Sequence, residues 1–459
     1  MSENTTALTI SEDNVNGAAR GWLLLALCSL VGAGLVVILI ILARMPVIHD
    51  LIPWTGSFRT ALVVHVDLTV LVWFLSFAGF LAALPIRASA HGWVRTALAI
   101  ATTGALLITF SPFLGQDRPF INNYIPVLAN SAFFFGLALF ATGFFCVALL
   151  SLTQRRPPAN LGEKAVYWGL SSSLTIAFMA LIFLVWSFVH LPNELLNEDG
   201  AHYFELLFWG PGHLLQFTYT QLQVLVWFWL ASSLVQRTMI SPKGLIILFS
   251  LGALPTLAAP VTMALLELDS PEFRQAMTDM MAYGNGLAAL PAALILLYGL
   301  SGEKGQSNGS SPERLAVLFS LVLFAFGGVI GFLIRGVNVT IPAHYHGSIV
   351  SITLAFMGMT YHLLPKLGGR LISPKWASRQ LILYSSGSML HVLGLAWSGS
   401  HGIQRKTAGD AQGLDTLADK IPMWIMGLGG MVAVIGGIVF LVLAFRSFRG
   451  KNPNPSRAC

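Results

Sequence analysis

The sequence predicts an all-α polytopic membrane protein with twelve transmembrane helices. Three observations carry that expectation. Only 10% of the 459 residues are charged, where a soluble domain carries about 25%. Apolar residues make up 55% of the chain, and mean hydropathy is +0.72. Twelve runs have the ~20 mostly apolar residues that a spanning helix needs. A soluble fold has too little interior to hide that much apolar surface, so the surrounding solvent is lipid. Disorder, a disulfide scaffold and nucleic-acid binding are excluded on the same grounds. Cys28, Cys146 and Cys459 are too few and too scattered for a disulfide framework or a cysteine metal site. The net charge of +6 fits basic loops on one membrane face as well as it fits a polyanion binder.

The runs, in order, are 22–44, 59–84, 93–113, 122–151, 165–191, 204–236, 244–266, 276–300, 314–335, 341–365, 379–398 and 421–445. Charges, Pro and Gly punctuate the gaps, as in Arg155-Arg156-Pro157-Pro158 and Ser301-Gly302-Glu303-Lys304. The first run is too long for a cleavable signal, and a polar tail precedes it. The expected organisation is a cytoplasmic polar tail at 1–20, a twelve-helix transmembrane domain at 21–446 and a cytoplasmic basic tail at 447–459. Of the 26 Lys and Arg residues, 18 fall on the side shared by the termini and the even-numbered loops, and 8 on the other. The positive-inside rule then makes both termini cytoplasmic, and spans 2, 6 and 10 enter from outside.

Several of the 11 histidines sit inside apolar runs, where an ionisable group is a functional candidate by default. A single membrane histidine is more often a hydrogen-bonding strut between helices than a ligand. Shared depth changes that balance. His65 in span 2, His213 in span 6, and His344 and His346 in span 10 all fall in the outer third of the membrane on this topology. Residues two apart on a helix point about 200° from each other, so His344 and His346 cannot chelate one small ion. They can serve two bulky groups on opposite sides of the helix. Haem suits this, because each iron needs an axial imidazole and each macrocycle an apolar slot. His65 is placed to supply a second axial ligand.

The histidine of span 2, Trp209-Gly210-Pro211-Gly212-His213 in span 6, and Ala343-His344-Tyr345-His346-Gly347 opening span 10 resemble subunit I of the haem–copper oxidases. The stretch from Asn338 to Arg370, with Tyr361-His362-Leu363-Leu364-Pro365-Lys366, looks like the family's tenth helix and following loop. The resemblance implies a haem–copper oxidase subunit I-like bundle carrying two haems. His65 and His346 would ligate a low-spin bis-His haem, and His344 a high-spin haem. His213 matches the helix 6 copper ligand. His391 in span 11, with Arg405 and Lys406 beyond it, is similar to the family's helix 11 histidine and the basic pair beside haem propionates.

The pattern breaks at the copper. The family adds an adjacent histidine pair on helix 7, but this chain has no histidine between His213 and His344. Val261 and Thr262 stand at that register, and neither is a useful copper ligand. Phe217 stands where many members have a tyrosine, and Tyr219 falls on another face. Copper is therefore expected to be absent, with His213 left at a vestigial or altered second-metal position. Nitric oxide reductases of the superfamily hold an iron there with an added glutamate, but near His213 only Glu205 stands, two turns outward, and Glu267 and Asp269 at the outer end of span 7 would have to lean inward, where span-end charges are normally solvated. Asp67 and Asp279 are candidate proton-route groups.

The resulting expectation is a respiratory oxidoreductase subunit of the terminal oxidase or nitric oxide reductase class, in the inner (cytoplasmic) membrane of a prokaryote. His344 and His213 would flank the catalytic position, where a small gas ligand, O2 or NO, binds. Its partners would be membrane lipid and an electron-donating subunit or c-type cytochrome, with no nucleic acid. One alternative is a non-catalytic haem electron-transfer or gas-binding subunit. Another is a haem-free twelve-span transporter with a polar midplane site.

Overall fold

The structure is a computed structural model and describes residues 17–51, 57–115, 118–235, 239–301 and 311–450. The expected polar tail at 1–20 lies mostly outside the described residues, as does most of the basic tail at 447–459. The chain is helical because lipid offers no partner for a backbone N–H or C=O, and a helix satisfies both within one segment.

Among the described residues, ten helices are long and apolar enough to cross a membrane: Ala18–Leu42, Phe58–Ala83, Ala88–Phe113, Ser131–Thr153, Leu161–His190, Pro242–Leu265, Pro271–Ser301, Pro312–Phe332, Pro374–Ser400 and Leu417–Arg449. Two others, Gly200–Ser232 and Thr340–Leu363, have 33 and 24 residues but are more polar. These two coincide with the expected runs 204–236 and 341–365, and they carry His213 and the His344–His346 pair. Their polarity points inward. The stretch from Phe217 to Ala231 is buried on every side, with Thr218, Thr220, Gln221 and Gln223 among it.

Local chemistry sets the helix starts. Ser241-Pro242, Ser270-Pro271 and Ser311-Pro312 each open a helix with a serine side chain capping an N–H two or three residues on. The proline that follows has no N–H to satisfy and a φ already suited to the first turn. Thr416 and Asp419 form a reciprocal capping box at the head of the last helix. One expected boundary is wrong. The run 122–151 becomes helical only at Ser131, capped by Asn130. Ahead of it, residues 119–128 form a small antiparallel hairpin with Pro119 opposite Leu128 and Phe120 opposite Val127. Pro126 cannot donate an N–H inside a helix, so the apolar stretch around it turns back on itself.

Two spans are interrupted internally. The second has a π-helical stretch at Asp67–Val72, directly after His65. The seventh tightens into a 3-10 turn at Leu254–Leu257, where Pro255 removes a donor.

The chain divides into two compact units, one of residues 1–26 and 71–304, the other of residues 27–70 and 305–459. In the first, Ala88–Phe113 packs on Ser131–Thr153 and Leu161–His190 on Gly200–Ser232. In the second, Pro312–Phe332 packs on Thr340–Leu363 and Pro374–Ser400 on Leu417–Arg449. Small residues let the latter backbones touch, as they do generally between helices in lipid. A Cβ at Gly394 would lie 2.4 Å from the backbone nitrogen of Met426, whereas one at Gly328 would meet nothing within 4 Å. Gly394→Val should therefore cost ~1–3 kcal/mol and lower the thermal midpoint of the detergent-solubilised protein, and Gly328→Ala should leave it unchanged.

Candidate functional site

His65, His344, His346 and His391 are each held in the same way, by Nδ1 donating to a backbone carbonyl. For His65 the acceptor is Ala33 O at 3.2 Å, on the first helix. His344 donates to Gly327 O at 2.7 Å, on Pro312–Phe332. His346 donates to Pro342 O at 2.7 Å, one turn back on its own helix. His391 donates to Met426 O at 2.9 Å, on the last helix. A carbonyl oxygen only accepts, so Nδ1 carries the proton and Nε2 presents a bare lone pair. That is the tautomer and the orientation that a metal-ligating imidazole takes.

The second unit brings three of these rings together. The rings of His346 and His391 touch, with centroids 4.8 Å apart and planes tilted by 56°. His65 lies within electrostatic reach of His346, and His391 within reach of both. His344 shares a helix with His346 but is anchored to a different neighbour. A Cβ at Gly331 would come within 2.7 Å of His344 Nδ1, so only glycine lets the helix Pro312–Phe332 approach that ring.

Charge gathers beside the imidazoles. Arg44, just past the first helix, exchanges bonds with Gln412: its Nε donates to Gln412 Oε1 and the Gln412 amide donates to Arg44 O, both at 3.3 Å. The segment around Gln412 is pinned further by Gly409 N to Ala43 O at 3.0 Å and Val339 N to Ile403 O at 3.0 Å. His49 adds contacts to Asp50 and Asp410 at 3.0 and 3.3 Å. Arg44 and Arg405 both lie within electrostatic reach of Tyr345, whose ring stacks on His346 at 4.9 Å. Lys406 follows Arg405 in a left-handed backbone conformation, φ 63°. Arg44 was not singled out from the sequence, although a lone arginine closing the first span is a visible signal.

His213, in the first unit, is differently placed. Its Nδ1 donates to Trp209 O at 2.7 Å, so its Nε2 is the acceptor, and the Tyr124 hydroxyl donates to it at 2.9 Å. Tyr124 is firmly seated. Its backbone N–H donates to the Asn122 side chain at 2.9 Å, and its ring meets Trp209 edge-on at 5.6 Å. A Cβ at Gly212 would sit 2.1 Å from its ring, so the glycine of the Trp209–His213 motif makes room for this phenol. The carboxylate of Glu205 accepts from Asn123 N at 3.0 Å, which fixes the same loop and commits Glu205 there. No sequence signal marked Tyr124, because residues 122–130 read as the start of a span.

The surroundings of His213 are taken up by protein contacts. Both of its nitrogens are committed. On the seventh span, Val261 is 54% exposed, and Thr262 donates its hydroxyl to Ala259 O at 2.7 Å. Glu267 and Asp269 are exposed. Elsewhere the polar groups act as struts. Gln221 Nε2 donates to Phe249 O at 2.7 Å, joining two helices. Tyr219 packs edge-on against Phe74 at 4.9 Å, and Asp279 accepts from Gln275 at 2.8 Å. Asp67 is buried, and neither carboxylate oxygen meets a hydrogen-bond donor.

Residues 18–439 match the family model for cytochrome c and quinol oxidase polypeptide I. The chain belongs to this family. It is 28% identical to an uncharacterized protein of Rickettsia prowazekii, over 93% of this chain and 95% of that one. It is 25% identical to a cytochrome c oxidase subunit 1 of Thermus thermophilus, over 90% of this chain and 80% of that one. Its fold is shared with the cryo-EM structure of a heme-copper terminal oxidase dimer, with a TM-score of 0.72 at 16% identity, covering 96% of this chain and 85% of the other. The oxidase-like helical bundle expected from the sequence is thus the observed fold.

Tyr124 and His213 should be energetically coupled. In a double-mutant cycle of Tyr124→Phe and His213→Phe followed by thermal unfolding, the coupling should be ~0.5–3 kcal/mol, with Tyr124→Phe alone destabilising because it strands a buried acceptor.

Proposed function

We propose that the chain is a respiratory membrane oxidoreductase subunit that carries a low-spin haem between His65 and His346 and a high-spin haem on His344, and that it passes electrons to a bound diatomic gas without a copper centre. The observation that supports this most directly is the shared set of Nδ1–H bonds, which leaves Nε2 of each imidazole as a lone pair. Haem supplies a one-electron change at iron and, where one axial position is open, a place for O2, NO or CO.

The protein's own groups then have definite tasks. The carbonyls of Ala33, Gly327 and Pro342 hold the rings against rotation and raise their basicity. Arg44 and Arg405 lie within electrostatic reach of Tyr345, next to His346, and would offset the carboxylates of a haem edge. Tyr124 keeps His213 neutral and its Nε2 covered, which supports the loss of a second metal. The same commitment favours a second reading, a subunit that carries electrons or binds gas without reducing it. The electron donor would be a partner subunit or c-type cytochrome, since the chain's three cysteines are scattered. Relatives in Rickettsia, Aquifex and Thermus support a bacterial inner membrane, with both termini cytoplasmic on the charge distribution.

Metal and haem analysis of the purified protein tests this reading. About two irons and almost no copper per chain are expected. One copper per chain would overturn the copper-free site, and a haem-free protein would return the transporter. His65→Ala should abolish the low-spin signal in a reduced-minus-oxidised spectrum while CO binding survives. His344→Ala should do the reverse. Gas consumption by the purified complex separates catalysis from gas binding.

A further inference from the structure

We infer that His391 is a third axial imidazole of the low-spin haem site, able to take the place of His346 opposite His65. The inference rests on the haem reading above and adds to it a residue from another helix.

The contact between His391 and His346 is ring to ring, at 4.8 Å and 56°. It is not a hydrogen bond that would orient His346, because the only proton on that ring goes to Pro342 O at 2.7 Å. His391 has its own anchor, Nδ1 to Met426 O at 2.9 Å, which protonates Nδ1 and bares Nε2 as in the other ligands. The last helix is shaped around it. A Cβ at Gly430 would lie 3.0 Å from His391 Nδ1, and one at Gly429 would lie 2.4 Å from the His391 backbone nitrogen. His391 is also within electrostatic reach of His65, so it belongs to the neighbourhood of the opposite ligand as well.

Two adjacent imidazoles with free Nε2 atoms compete for one iron face, and the iron accepts one of them. The competition has a structural consequence. His344 and His346 sit on the same turn of Thr340–Leu363, so movement of that helix displaces both. His391 lies on Pro374–Ser400 and is tied to the last helix instead. It would offer an imidazole to the low-spin haem from a position independent of the tenth helix.

The test compares His346→Ala, His391→Ala and the double variant in the purified haem-loaded protein. The readouts are the reduced-minus-oxidised spectrum and the EPR of the ferric low-spin haem. His391→Ala should keep the low-spin signal. His346→Ala should lose less than about twofold of it, with altered g-anisotropy, and the double variant should lose more than about tenfold. CO binding at the His344 haem reports folding in each case. His346→Gln, which keeps side-chain bulk, serves where alanine lowers the yield. Loss of the low-spin haem in the His346 variants to the level of the double variant, with CO binding intact, overturns the inference and leaves the haem reading standing. Absence of haem from the wild-type protein overturns the haem reading itself.

Discussion

A single kind of hydrogen bond organises the site: an imidazole Nδ1–H donated to a backbone carbonyl. Three of the four cases cross between helices, from His65 to Ala33, His344 to Gly327 and His391 to Met426. Each bond does two things at once. It satisfies a polar group that lipid or an apolar core would leave stranded, and it fixes which nitrogen is free. Where the acceptor lies on another helix, the two helices must approach closely, so the orientation of those rings depends on the packing of small residues. Gly331 beside His344 and Gly430 beside His391 are the points where that dependence is sharpest.

The architecture follows from the same constraint. Helices facing lipid can be largely apolar, and among the described residues ten are apolar and long enough to cross a membrane. The helices that carry His213 and the His344–His346 pair fall outside that group because they must hold polar side chains inward. Their polarity is tolerated because partners exist, such as Phe249 O for Gln221. Asp67 departs from the rule. It is a buried carboxylate without a partner, at the head of a π-helical stretch directly after the His65 helix. Such stretches are often found where a helix serves function rather than stability.

Much of this was legible in the sequence, for physical reasons. Hydropathy is additive along a run, so the long helices lay close to the expected spans. What could not be read was whatever depends on loops folding back. Residues 122–130 have span-like composition, but Pro126 lies in a hairpin and the helix begins only at Ser131, capped by Asn130. The hairpin that results puts Tyr124 on His213, a contact separated by 89 positions in the chain. The setting of Arg44 emerges only when Gln412, far along the chain, is brought beside it.

The contrast between His213 and the other histidines decides how the missing helix 7 pair is to be understood. An imidazole left behind by a lost metal would be expected to keep a free lone pair, or to be replaced. His213 instead has a dedicated donor at Nε2 and a glycine beneath that donor. Tyr124 cannot be fortuitous packing when Gly212 must lack a side chain to admit it. The phenol therefore belongs to the same design as the motif around His213. His213 shares the Nδ1–H tautomer of His65, His344 and His346 and differs from them in the phenol O–H that Tyr124 donates to its Nε2.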